Sequence, residues 1–343
     1  MRGWGARGGA VLALAAVAAL GACSASPMPA PTPEYTSTYI TPPPTALAPL
    51  TGATVAAGSL SNPSLAAKID NHPAARPQVG LERTDLVFEE LVEGGLTRYV
   101  AVWQSDVPAE IGPIRSIRPM DPDIVSPLGG IIAYSGGQQR FVDLMRQTNV
   151  LNAIHGQSDT EDLMYRTNAK AAPHNVIVRA EELVGRHPEL AAPAQQFAFA
   201  LDAAASTAAR DGGATTGIAL RFGSASAPSW SFDAGSGRWL RFQDGGAPDT
   251  DSNGAQLSAA NVVVLRVPVS NGLGLPKTEL IGSGEAWIAT AGSTVHATWS
   301  KASTTDPIRL VDDTGTVIRL APGNSWIELV PVTGSVDFAA ATS

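Results

Sequence analysis

The stretch EIGPIRSIRPMD (Glu110 to Asp121) sets two arginines, Arg115 and Arg118, three residues apart between Pro113 and Pro119. Guanidinium forks match the paired oxygens of carboxylates and phosphates, so arginines on stiffened turns are candidates for anion recognition. Arg76 stands just before Pro77, and Arg98 follows the glycine turn Gly94-Gly95. With Asn71 in the turn DNHP, these four arginines form a candidate ligand-binding set. The plain alternative is that Arg115 and Arg118 bridge to Glu89, Glu90, Glu93 or Asp121 and brace the domain.

A second group could do acid/base work. DLVFEELVEGGLTRYVAVWQS (Asp85 to Ser105) has the pattern of a β-hairpin, because Gly-Gly supplies the positive φ angles of a two-residue turn. A two-residue loop pairs Leu91 with Arg98 and Glu89 with Val100, which puts Glu89, Glu93 and Arg98 on one face. Paired carboxylates cleave glycosidic bonds. An arginine between them, however, lowers both pKa values where a general acid needs one raised. His174, in PHN, is a candidate general base with no neighbouring serine or cysteine nucleophile motif. The histidines lack metal-ligand spacing, so neither a metal nor a cofactor is expected. The glycines of YSGGQQR (Tyr134 to Arg140) are too few for a nucleotide fingerprint.

The ends of the chain bear on where this chemistry would sit. Arg2 and Arg7 precede the uncharged run GGAVLALAAVAALGA (Gly8 to Ala22), which is short of the about 20 apolar residues a spanning helix needs. That layout is a secretory signal, and LGAC (Leu20 to Cys23) looks like a bacterial lipobox. Cys23 is the only cysteine, so no intrachain disulfide forms and lipidation is its expected fate. Residues 24–59 are rich in Pro, Ser, Thr and Ala and read as an extended tether. The expected location is therefore extracytoplasmic, on the outer face of the cell membrane. The formal charge is −8, and −10 without Arg2 and Arg7. That excess argues against a general nucleic-acid binder.

Two halves follow with different patterns. Residues 60–209 alternate strand-like and helix-like segments, which predicts an α+β or α/β domain. Gln138 to Asn149 has helical spacing with Phe141, Leu144 and Met145 on one face, and the alanine-rich Gln195 to Ala209 reads as a helix. Residues 210–343 turn to short strands and tight turns, which predicts an all-β domain, a small sandwich or barrel. Five tryptophans, Trp230, Trp239, Trp287, Trp299 and Trp326, lie there and read as core.

KIDNHPAARPQVGLERTDLVFEELVEGGLTRYVAVWQSDVPAEIGPIRSIRP (Lys68 to Pro119), with APHN (Ala172 to Asn175), resembles the YerB-like lipoproteins, a bacterial family of unknown function. GAQLSAANVVVL and APGNSWIELV resemble that family's second, β-rich domain. The resemblance implies a lipid-anchored, two-domain envelope protein and no established reaction. Near Asn168 to Ala172 the family pattern expects more basic residues, and Lys170 alone stands there. The expected function is binding of an anionic cell-wall component or an envelope protein through the arginine cluster. The alternatives are a cell-wall glycan hydrolase or transferase using Glu89, Glu93 and His174, and a scaffold that docks a partner through the β-rich domain.

Overall fold

Unbroken apolar runs with β-branched residues form strands buried on both faces. The computed structural model describes residues 41–340. The expected signal, Cys23 and the tether up to residue 40 lie outside the described residues. In the first half the strands are β1 (Leu65–Asp70), β2 (Leu86–Leu91), β3 (Thr97–Trp103), β4 (Glu110–Ile111), β5 (Ile131–Tyr134), β6 (Leu151–Ile154), β7 (Met164–Arg166) and β8 (Val176–Arg179). The helices between them are short: α1 (Asp121–Val125), α2 (Gln139–Arg146) and α3 (Ala180–Gly185). The second half contributes β9 (Gly213–Arg221), β10 (Ser229–Asp233), β11 (Arg238–Phe242), β12 (Ser258–Ala259), β13 (Asn261–Val267), β14 (Gly282–Thr290), β15 (Ser293–Lys301), β16 (Ser325–Pro331) and β17 (Ser335–Ala340).

One sheet path runs through both halves, in the order β12-β11-β10-β9-β15-β14-β13-β16-β2-β3-β1-β5-β6. The join is β16, parallel to β2 on one side and to β13 on the other. The second half is therefore not a barrel closed on itself, because its strand Ser325–Pro331 completes the sheet of the first half. At the far end β1, β5 and β6 are parallel. A bulge between Thr215 and Gly217 lets β9 leave β15 and pair with β10 and β17. Trp230 and Trp239 on this second layer are buried in one cluster with Tyr99 and Trp326 of the first. The Trp230 and Trp326 rings meet edge to face at 5.3 Å. A small antiparallel sheet, β4-β8-β7, packs through Ile111, Val176 and Val178 on the same face of the main sheet.

Three local expectations are corrected. The tether ends earlier than residue 59: Thr45–Leu47 and Thr54–Ala56 pair as a hairpin, and Leu50 is fully buried. The alanine-rich stretch from Gln195 is mostly irregular, with a short strand at Ala198–Phe199 and α4 only at Thr207–Asp211. Alanine's helix propensity is weak beside tertiary contacts, and Phe199 is held by pairing with Arg319–Leu320. In α2 the buried residues are Phe141, Val142 and Met145, whereas Leu144 is exposed. The buried face is turned by one residue from the expected one.

Candidate functional site

The hairpin decides the fate of the glutamates. Its turn is one 3-10 turn, Glu93–Gly95, closed by Val92 N–H donating to Leu96 O at 2.8 Å. The loop is longer than two residues, so Leu91 pairs with Thr97, Glu90 with Arg98 and Glu89 with Tyr99. A shift of one position moves a side chain to the other face. Glu90, not Glu89, therefore lies beside Arg98, and Glu89 points into the layer shared with the second half.

There Glu89 is fully buried and closed by partners. Its Oε2 accepts from Arg241 Nη2 at 2.5 Å and its Oε1 from Thr97 Oγ1 at 2.6 Å. Arg241, also fully buried, donates to Asp249 at 2.9 Å and Glu328 at 3.0 Å, and its guanidinium lies 4.6 Å from the Trp326 ring centre. Glu328 is the register partner of Glu89. Burial and the adjacent Glu89 carboxylate push Glu328 well above the ordinary carboxylate range. Asn71 is part of the same brace: its amide donates to Thr97 Oγ1 at 2.8 Å, and its Oδ1 accepts from Arg76 Nε at 2.9 Å.

On the opposite face lies the arginine cluster. Arg118 donates to Glu93 Oε2 from Nε at 3.0 Å and Nη2 at 2.9 Å, and to the carbonyls of Ser116 and Ile117. Desolvation alone would raise the Glu93 carboxyl, but the Arg118 fork holds it below its usual value. Arg115 Nε stands 3.0 Å from Asp70 Oδ2, although its N–H is not aimed at that oxygen. Arg98 donates to Ser116 O at 2.8 Å and has no carboxylate partner among the described residues. Burial, with Arg118 and Arg115 nearby, pushes it down to about 10. Beneath them Lys68 pairs with Glu90 and with Asp121 at 2.7 Å, both fully buried. Burial lowers Lys68 to about 8 against the pull of Asp121.

Asp70, at the carboxyl end of β1, links this cluster to an open cavity. Its Oδ2 lies 2.6 Å from His174 Nδ1, and the His174 ring stacks on His72 at 4.5 Å. His174 lines a cavity of about 620 Å³ together with Arg76, Lys170, Tyr165, Glu110, Val79 and Ile177. Lys170 Nζ is fixed by the carbonyls of Ala75, at 2.7 Å, and Pro77. Arg76 is fixed by Asn71, through its side chain and its carbonyl. Neither cation has a carboxylate partner among the described residues.

The four arginines thus do not share one pocket. Arg76 and His174 line the cavity, whereas Arg98, Arg115 and Arg118 form the polar wall reached through Asp70. Glu89 and Glu93 are each closed by an arginine, on different faces of the hairpin. Sequence reasoning missed Lys170 and Glu110 as cavity residues and Arg241 as the partner of Glu89. Lys170 carried a faint signal as the lone cation just before APHN. Arg241 carried none, since the partners are 152 positions apart.

The family described as "Protein of unknown function (DUF3048)" matches twice, its N-terminal domain over residues 50–192 and its C-terminal domain over residues 218–327. The chain is 23% identical over 295 residues to "Putative lipoprotein YerB" of Bacillus subtilis (strain 168), covering 83% of this chain and 86% of that protein. Its fold is similar to the crystal structure of the YerB protein from Bacillus subtilis, with a TM-score of 0.72 at 22% identity over 85% of this chain and 99% of that one.

Proposed function

This chain belongs to the DUF3048 family, and on that premise we propose that it is a lipid-anchored envelope protein that binds an anionic ligand without catalysing a reaction. The ligand sits in the cavity beside Arg76 and Lys170. The observation that carries this reading is that both cations line the cavity and are held by neutral groups, with no carboxylate paired to them among the described residues. Asp251 and Asp70 act on Lys170 only from beyond ion-pair distance, and a cation fixed by neutral groups can take a carboxylate or phosphate directly. The closed ion pairs of Glu89 and Glu93 favour binding over glycan hydrolysis, which needs a carboxylate free to reach substrate.

The anchor is supported by LGAC at Leu20 to Cys23 and by the lipoprotein name of the Bacillus relative. No helix among the described residues is long and apolar enough to cross a membrane. Cys23→Ser is expected to move the protein from the membrane fraction to the soluble fraction of cells, and retention in the membrane fraction speaks against the lipid anchor.

Binding is tested by calorimetric titration of the full chain in detergent with inorganic phosphate and with N-acetylalanine. One charge-assisted hydrogen bond contributes about 1.5–3 kcal/mol, so Arg76→Ala or Lys170→Ala should weaken binding by about tenfold or more. Arg118→Ala should lower the unfolding temperature and leave affinity nearly unchanged. Equal binding in wild type, Arg76→Ala and Lys170→Ala overturns the placement.

A further inference from the structure

The cavity carries an unpaired charge of the other sign. Glu110 lines the same cavity as Arg76 and Lys170 and has no cationic partner among the described residues. Its cross-strand neighbour is Arg179. Opposite charges in that register ordinarily pair. Arg179 is drawn elsewhere: its guanidinium lies 5.5 Å from the Tyr165 ring centre, and its Nη1 donates to Asp162 O at 2.9 Å. Glu110 is instead held by the Tyr165 hydroxyl, which donates to Oε1 at 2.6 Å. That hydrogen bond to Glu110, with burial and the Glu110 charge behind it, raises the Tyr165 phenol above its usual value.

The cavity wall therefore presents two cations without acids and one acid without a cation, each positioned by neutral groups. Among the described residues Glu110 forms no ion pair with either cation. Val79, Pro113 and Ile177 also line the cavity and give it apolar surface suited to aliphatic groups. The volume of about 620 Å³ falls within the range of small-molecule sites.

We propose that the ligand is zwitterionic: an amino acid or short peptide whose free carboxylate is taken by Arg76 and Lys170 and whose free ammonium is taken by Glu110. This rests on the reading of the cavity as an anion site and adds the second charge. A ligand with only a carboxylate leaves Glu110 without a partner and facing the bound anion. A ligand with both ends charged satisfies all three side chains.

Three probes separate the possibilities in calorimetric titrations of the full chain in detergent: alanylalanine, N-acetyl-alanylalanine and alanylalaninamide. The free dipeptide is expected to bind at least tenfold more tightly than either blocked form. Glu110→Gln should weaken binding of the dipeptide and abolish its preference over the N-acetyl form, which no longer faces a like charge and should bind no more weakly than before. Arg76→Ala should weaken both. Equal affinity for the free and N-acetyl dipeptides, or a Glu110→Gln variant that keeps the preference, overturns the zwitterion proposal while the anion reading stands. No binding of any of the three, or of inorganic phosphate, overturns both. Because Glu110 is exposed, the variant should retain the wild-type unfolding temperature, which shows that lost binding is not lost folding.

Discussion

Glu328 and Glu89 stand side by side in register, both without exposed surface, and share one arginine. Two carboxylates so placed cannot both ionise at low cost. Burial first, and then Glu89, lifts Glu328 well above its ordinary value of 4.5. The folded protein keeps a proton there that the unfolded chain releases as the pH rises past that value. Stability is thus lost with rising pH from the unfolded value up to the folded one. Glu328→Gln carries no proton to release, and its carbonyl can keep the bonds that Trp230 Nε1 and Arg241 Nη1 make to Oε1 at 2.7 and 3.0 Å. Urea unfolding at about pH 5 and about pH 8 should show the variant gaining on wild type as the pH rises, and a pH-independent difference would contradict it. Arg241→Ala leaves Glu89 and Asp249 buried without their cation and should cost about 3–5 kcal/mol. At this scale the sequence was half legible. Short-range pairs such as Arg118 with Glu93 follow from neighbouring turns, whereas Glu89 with Arg241 depends on which strands become neighbours.

The hairpin β2–β3 shows how one turn reassigns chemistry. Its existence follows from the apolar runs around Gly94-Gly95, but its register does not, because both glycines fit either a two-residue turn or the longer loop found. Both have positive φ, 72° and 73°. A side chain at position 94 meets nothing within 4 Å, whereas one at 95 comes within 2.8 Å of Ser224 Oγ and 3.2 Å of Ala225 N. Gly94→Ala should therefore cost only the left-handed backbone penalty, about 1 kcal/mol. Gly95→Ala should cost that and roughly 1–3 kcal/mol more from overlap with the second layer. Urea midpoints of the two variants test the order, and equal midpoints would show that the layers are not packed at the turn. Helix α2 carries the same lesson more mildly: its helical period was readable, but the face that packs was off by one residue because Val142, not Leu144, meets the core.

The two family domains share one hydrogen-bonded sheet, and this governs how the molecule should unfold. The sequence pattern puts a change from mixed to all-strand segments at Arg210 to Gly217. The join was not, since parallel pairing of β16 with β2 unites segments more than 200 residues apart, from Ser325↔Leu86 to Leu329↔Glu90. Contact between the halves continues in the second layer, where Trp230, Tyr99 and Trp326 pack together and Arg241 closes Glu89. A chain ending at Asp211 would bare the edge of β2 and leave Glu89 buried without its cation, a loss of several kcal/mol from a domain whose net stability is of order 5–15 kcal/mol. The whole chain should accordingly unfold in one urea transition, with tryptophan fluorescence and far-ultraviolet circular dichroism coincident. The fragment ending at Asp211 should show little hydrogen-exchange protection across β1 and β2. Two resolved transitions, or a fragment as protected as the whole, would mean that the sheet join contributes little and that each family domain folds on its own core.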